Sequence, residues 1–250
     1  MNKRSYLALF LSILVVVSVF AGCASKEPET GTLTPITDPT DASAQTPEES
    51  PDEDPTVALP EPFQPTLALG RMEGGTYINT YVGYGCTLDS GWTFRSAEEL
   101  QQLPENIREL LSQSEDILAD YQQITDMLAE NTANATSVNV VYTQIPATEQ
   151  LGYAILTEEE IIDYTLRQKD LMIESYAQAG IDVSSMEKVS VTFLGKERPA
   201  IKTVASIGGT PYYILQIQDF QLGSYGVNLT LSSFHEDQTE DLLDLFFPVE

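Results

Sequence analysis

Val189-Ser190-Val191-Thr192-Phe193, Ile201-Lys202-Thr203-Val204-Ala205-Ser206-Ile207, Tyr213-Ile214-Leu215-Gln216-Ile217 and Val227-Asn228-Leu229-Thr230-Leu231 are four runs in which apolar side chains recur at every second position. That period is the period of a β-strand with one face on a core. The links between the runs are Gly195–Pro199, Gly208-Gly209-Thr210-Pro211 and Leu222–Gly226, each with the glycine or proline that a reversal needs. Links this short join antiparallel neighbours, so residues 189–231 read as a four-strand meander.

Moving outward from the meander towards the N-terminus, the period changes. Thr157 with Glu160 forms a capping box, and Glu158 and Glu159 suit the positive end of a helix dipole. The helix is predicted to run to about Ala179, burying Ile161, Ile162, Leu166, Ile173, Tyr176 and Ala177, and to end at Gly180. Val138–Tyr142 reads as a strand. Tyr121–Asn131 allows two readings, the end of a preceding helix or a strand over 123–129 that turns at 131–136. Before it, Ser96 with Glu99 opens a helix that Pro104 resets, with Ile107, Leu110, Leu111, Ile117 and Leu118 on one face. Thr76–Tyr84 reads as a tyrosine-rich strand, Gly83 and Gly85 loosen the chain, and Cys86–Leu88 begins another. Beyond the meander, Thr239–Phe247 is predicted to be a short helix lying across the sheet through Leu242, Leu243, Leu245, Phe246 and Phe247. The sum is an α+β domain: an antiparallel sheet of about six to seven strands flanked by helices.

The first 69 residues are of another kind. Lys3 and Arg4 precede an apolar run from Tyr6 to Phe20, followed by Ala21-Gly22-Cys23. A basic start, a short apolar core and small residues before a cysteine form the pattern of a bacterial lipoprotein signal. The expected mature chain begins at Cys23, acylated and anchored in the bilayer on the outer face of the cell membrane. From residue 24 to 69, nine prolines and ten acids stand against one base, Lys26, with no apolar periodicity. Such a segment cannot bury enough apolar surface to offset the entropy of ordering, so it is expected to be a disordered tether. Its r.m.s. reach would be roughly 35–40 Å. The division is therefore 1–22 signal, 23–69 tether and 70–250 a single globular domain.

In that domain nine bases face 28 acids. The excess of negative charge argues against nucleic acid as a partner, because phosphates demand a basic surface. Cys86 is the only thiol besides Cys23, so no intramolecular disulfide forms after lipidation; its apolar, aromatic neighbours predict a small buried core residue. The single histidine, His235, lies beside Glu236 and Asp237, but a metal site needs more ligands than one imidazole at a strand end. Ser185-Met186-Glu187-Lys188 has S-x-x-K spacing, yet it precedes a strand where a helix is needed and its companion motifs are missing. No catalytic residue, metal or cofactor is assigned. A hydrolase with a site that no motif marks, or a small-ligand receptor, is the alternative to a binding module. The candidate partner-binding residues are the aromatics Tyr77, Tyr81, Tyr84 and Trp92 at the start of the domain, with Tyr212, Tyr213 and Tyr225 on the meander. Rings of this kind anchor partners at low entropic cost; equally, they could complete the core.

The order of elements over residues 75–250 resembles a known fold. The tyrosine-rich strand passes through Gly83-Tyr84-Gly85 to Trp92. A helix follows, then a hairpin around Asp126-Met127 and Val138-Asn139-Val140, a Glu-rich helix, the meander and a C-terminal helix. This is similar to the fold shared by the photosystem extrinsic protein PsbP, the Ran-binding Mog proteins and DcrB-like bacterial lipoproteins. The resemblance favours the strand reading of 123–129. It implies a fold used mainly to bind other proteins, without a shared catalytic site, and it carries over no functional residue. The expected partner is an envelope or secreted protein.

Overall fold

Period-two sequence dominates the architecture. The computed structural model describes residues 67–95, 99, 123–219 and 223–249. The meander consists of β7 (Ile181–Phe193), β8 (Lys196–Ile207), β9 (Thr210–Asp219) and β10 (Tyr225–Phe234), paired antiparallel in that order. β10 pairs on its other side with β6 (Thr136–Gln144), β6 with β5 (Gln123–Asn131), and β5 with the short β4 (Thr93–Phe94). The seven-stranded sheet therefore has the order β4-β5-β6-β10-β9-β8-β7. Residues 123–129 are strand, as the resemblance favours. Thr125 and Met127 flank a bulge in β5, which lets Asp126 leave the strict alternation.

A second sheet lies over one face of the first. Its strands are β1 (Arg71–Glu73), β2 (Thr76–Asn79), β3 (Tyr84–Thr87) and β11 (Phe246–Pro248), in the order β1-β2-β3-β11. The larger core lies between the two sheets: Val138, Val140 and Tyr142 from β6, Leu215 and Ile217 from β9, and Val227, Leu229 and Leu231 from β10 meet Tyr77, Tyr84, Cys86 and Phe246. Tyr84, Phe193 and Phe246 meet edge-to-face with ring centroids 5.5–5.6 Å apart, tying β3, β7 and β11 together.

Helices cover the other face. α1 (Ala147–Ala154), α2 (Glu158–Leu166) and α3 (Lys169–Gln178) lie between β6 and β7 in sequence, and α2 and α3 bury Ile162, Met172 and Tyr176 against Ile181, Ile201, Tyr212 and Ile214. The Thr157 capping box is complete: its hydroxyl accepts from Glu160 N–H at 3.2 Å, and Thr157 N–H donates to Glu160 Oε2 at 2.9 Å. Gly180, at φ +77°, makes the left-handed turn from α3 into β7.

Several expectations are corrected. The predicted helix from Thr157 to Ala179 is two helices broken at Arg167-Gln168, and the break rotates the second one. Tyr176 faces the core as expected and Met172 joins it, while Ala177 is exposed. α1 was not anticipated. The strand ending at Phe193 begins at Ile181, its alternation hidden by a bulge between Val183 and Ser185. The strand expected over 76–84 is two strands reversed before Gly83, at φ +74°. The terminal helix is a 3-10 turn, Asp241–Leu245, followed by strand β11, because Phe246 and Phe247 find an open edge on β3. The helix predicted from Ser96 lies, Glu99 apart, outside the described residues, as do the signal, Cys23 and nearly all of the tether.

Candidate functional site

The residues that draw five tyrosines to one end of the intersheet core begin with Asp126. The bulge aims its carboxylate at the small sheet, where Gly70 N–H donates to both oxygens at 2.9 and 3.0 Å. Asp126 Oδ2 also accepts from the Tyr77 hydroxyl at 2.5 Å and the Asn79 amide at 2.6 Å. Gly70 is required by close approach: a Cβ there would fall 2.2 Å from the Tyr77 ring. The Asn79 amide nitrogen also lies 2.6 Å from the Tyr142 hydroxyl and 2.9 Å from that of Tyr77, so three acceptors share its two protons. Asn79 Oδ1 accepts from Tyr81 and Val82 N–H and closes the turn after β2.

Above this network stand the rings. Tyr81 meets Tyr142 edge-on at 5.8 Å, and Tyr142 meets Tyr225 at 6.4 Å. Tyr81 and Tyr225 are half-buried, whereas Tyr142 is fully enclosed. Arg198 borders the cluster, donating to Glu158 at 2.9 Å and to Asp219 at 3.3 Å.

Burial sets the protonation states. It raises the Asp126 carboxyl above the usual aspartate value, outweighing the donors Tyr77, Gly70 and Asn79. Burial also raises the phenol of Tyr84, with Tyr142 and Asp219 adding to the effect and Arg198 opposing it. For Tyr81 the rise comes from burial, then from Tyr225 and Asp219. Tyr77 and Tyr142 move the same way, chiefly through burial and Asp126. At neutral pH Tyr77, Tyr81, Tyr84 and Tyr142 therefore present protonated phenols, each a hydrogen-bond donor and acceptor. The Tyr84 hydroxyl is enclosed among them without a hydrogen-bond partner.

The aromatics named from sequence divide. Tyr77, Tyr81, Tyr84 and Tyr225 come together; Tyr77 and Tyr84 are buried, and the two half-exposed rings, Tyr81 and Tyr225, rest on Tyr142. Trp92 does not join them, since it precedes β4 and β4 pairs with Ala129 and Glu130, whereas Tyr142 pairs with Ile124. Five residues along β5 separate the two ends, roughly 17 Å. Tyr213 pairs with Ser233 at that distant end, and Tyr212 is on the opposite face, stacked on Phe234 at 4.4 Å. Asn79, Asp126, Tyr142, Arg198 and Asp219 belong to the cluster but were not named from sequence. Asp126 stands in a run without clean alternation, Gln-Ile-Thr-Asp-Met-Leu-Ala over 123–129, so no signal in the sequence marked it.

Outside the cluster, His235 is exposed at φ +67° after β10. Ser185 is an exposed strand residue, a geometry unlike the helix that S-x-x-K chemistry needs. Among the described residues no group of three or more His, Cys, Asp or Glu side chains is placed to hold a metal ion. Nor is any described helix long and apolar enough to cross a membrane.

No family model and no curated protein matches this chain. Among solved structures it is similar to the solution structure of cyanobacterial PsbP (CyanoP) from Synechocystis sp. PCC 6803, at 13% identity over 73% of this chain and 94% of that chain, with a TM-score of 0.39.

Proposed function

We propose that this protein is an extracytoplasmic lipoprotein, anchored through acylated Cys23 and an acidic tether, whose α+β domain is a non-catalytic module that binds an envelope or secreted protein. The observation that carries the binding reading is the pair Tyr81 and Tyr225. Both rings are half-exposed and set edge-on against the enclosed Tyr142, which is itself held by Asn79. Rings fixed before the partner arrives lose little entropy on binding, which is what makes tyrosine an effective anchor. The domain's 28 acids against nine bases favour a neutral or basic partner surface and would speed its approach. The anchoring half rests on Lys3-Arg4, the apolar run to Phe20 and Ala21-Gly22-Cys23.

Membrane flotation of cells carrying the full chain or Cys23→Ser tests the anchor. The unmodified chain should float with membranes and the variant should be lost from that fraction. Equal flotation of both would remove lipidation at Cys23 from the account, leaving the binding reading to stand on the partner capture described below.

A further inference from the structure

The exposed edge of the tyrosine cluster carries charge as well as rings. Val227 pairs with Tyr142 on one side and with Asp219 on the other, so the three form a cross-strand row on one face of the sheet. Tyr225 stands two residues earlier on β10 and therefore on that same face, a diagonal neighbour of both Tyr142 and Asp219. Tyr81 joins from the turn after β2. The ring planes of Tyr81 and Tyr142 cross at 72°, and those of Tyr142 and Tyr225 at 83°, so the rings are walls of a corner rather than a stack. Tyr81 and Tyr225 are half-exposed and the Asp219 side chain is 31% exposed, so a partner can touch all three.

One base stands here against two acids. Arg198 is shared between Glu158, at 2.9 Å, and Asp219, at 3.3 Å, and one negative charge is left over among the three. The Asp219 charge is felt by the rings: it adds to the rise of the Tyr81 phenol and of the buried Tyr84 phenol beneath. The face of an aromatic ring is the negative part of its quadrupole and attracts a cation within about 6 Å of the centroid. Rings and a carboxylate meeting at an exposed corner therefore favour a positive charge.

The oxygens of the corner decide which cation. A quaternary ammonium has no proton to donate and is served by rings alone. A primary ammonium donates three hydrogen bonds, which phenol and carboxylate oxygens accept. The domain's 28 acids against nine bases would draw a lysine-bearing surface towards it. We propose that the corner formed by Tyr81, Tyr142, Tyr225 and Asp219 receives a lysine side chain of the protein partner, with its ammonium beside Asp219 and its methylene stem along the rings. This rests on the binding reading above and adds to it the chemistry of the partner.

The test uses the full-length chain in dodecyl maltoside and a saturation-transfer NMR titration. The probes are an end-capped pentapeptide of alternating glycine and lysine, and the same peptide with its lysines acetylated or trimethylated. The lysine peptide should bind, the trimethylated one more weakly, and the acetylated one not at all. Tyr225→Leu and Asp219→Asn should each weaken the lysine peptide roughly fivefold, the loss of one ring or one charge contact. Asp182 stands on β7 nine residues from Val191, the partner of Arg198, and so roughly 30 Å along the strand. Asp182→Asn removes the same charge beyond the screening length and should leave affinity within about twofold. Equal loss in Asp182→Asn and Asp219→Asn would reduce the effect to net charge and overturn the proposal. So would no binding of the lysine peptide, or binding of either modified peptide as tight as that of the unmodified one. Should Tyr225→Leu fail to fold by circular dichroism, Tyr81→Leu takes its place. A protein captured through Tyr81 and Tyr225 by a chain that ignores the lysine peptide would leave the binding reading standing and remove only the lysine.

Discussion

The Tyr77 hydroxyl donates to the Asp126 carboxylate at 2.5 Å, and this bond joins the bulge of β5 to the small sheet. With Gly70 N–H and the Asn79 amide on the same carboxylate, one side chain fastens the segment before β1, the strand β2 and the turn after it. Asp126→Ala takes the acceptor from the Tyr77 hydroxyl and from Gly70 N–H, and one of three acceptors from the Asn79 amide, and should cost about 2–4 kcal/mol by urea denaturation, whereas Tyr77→Phe should cost about 1–2 kcal/mol. The pH dependence has a definite sign. Asp126 is raised in the folded state, so the native protein holds this proton to higher pH than the unfolded chain, whose reference is 3.8. Its contribution is largest below 3.8 and falls as pH rises through the raised native value. The difference between unmodified protein and Asp126→Ala should narrow over that interval; a widening would contradict the assignment.

A second fastener holds the C-terminal segment. Lys202 is buried on β8, with its ammonium 2.6 Å from Asp237 and 2.5 Å from the Thr239 hydroxyl. Removing the two partners should not be equivalent. Asp237→Ala strands an enclosed ammonium and should cost about 2 kcal/mol, less than a fully buried pair because Asp237 is partly exposed. Lys202→Met leaves a carboxylate that water can reach and should cost less. Burial tends to raise Asp237, but Lys202 and Thr239 together bring it below 3.8. Its stabilisation is therefore present above 3.8 and is lost as pH falls through the depressed native value. Melting curves of both variants between pH 2 and pH 7 check the order and the direction.

Cys86 is enclosed between β2 and β11, and burial pushes its thiol up to about 12, partly offset by a backbone hydrogen bond with Tyr77. The thiolate is the reactive form, so iodoacetamide at pH 8 should leave native protein unlabelled at this position and modify it at once in 6 M guanidinium. Mass spectrometry resolves the two states. Rapid labelling without denaturant would show that the small sheet opens far more readily than its packing implies.

Thr157→Ala should remove a complete capping box and cost about 1 kcal/mol, read as a lower urea midpoint at unchanged slope.

The parts of the fold with strict local periodicity were legible in the sequence. The meander, the Thr157 cap, Gly180 and the β5–β6 hairpin all appear where alternation, capping chemistry or the family resemblance place them. Bulges hid the rest, because one extra residue inverts every later side chain; the early portion of β7 was missed at Val183/Ser185 for that reason. β11 was misread because Leu242–Phe247 carries a helical spacing of apolar residues, while the deciding influence is the edge of β3, more than 150 positions away in sequence. The site was half legible. Tyr77, Tyr81 and Tyr84 are neighbours in the chain, but Tyr142 and Tyr225 join them only through the β6–β10 pairing. Trp92, Tyr212 and Tyr213 were grouped with them by residue type, and strand direction and sheet face separate them.

The central claim is that Tyr81 and Tyr225 form a prepared surface for a protein partner of the tethered domain. It is tested most directly by cross-linking capture from intact producing cells. The baits are the full-length unmodified chain and Tyr81→Ala/Tyr225→Ala, matched for expression and for circular dichroism. The account predicts that one envelope or secreted protein is recovered repeatedly with the unmodified chain and falls at least tenfold with the double variant. Recovery of the same protein at equal yield by both baits, or of no specific protein by either, would contradict it.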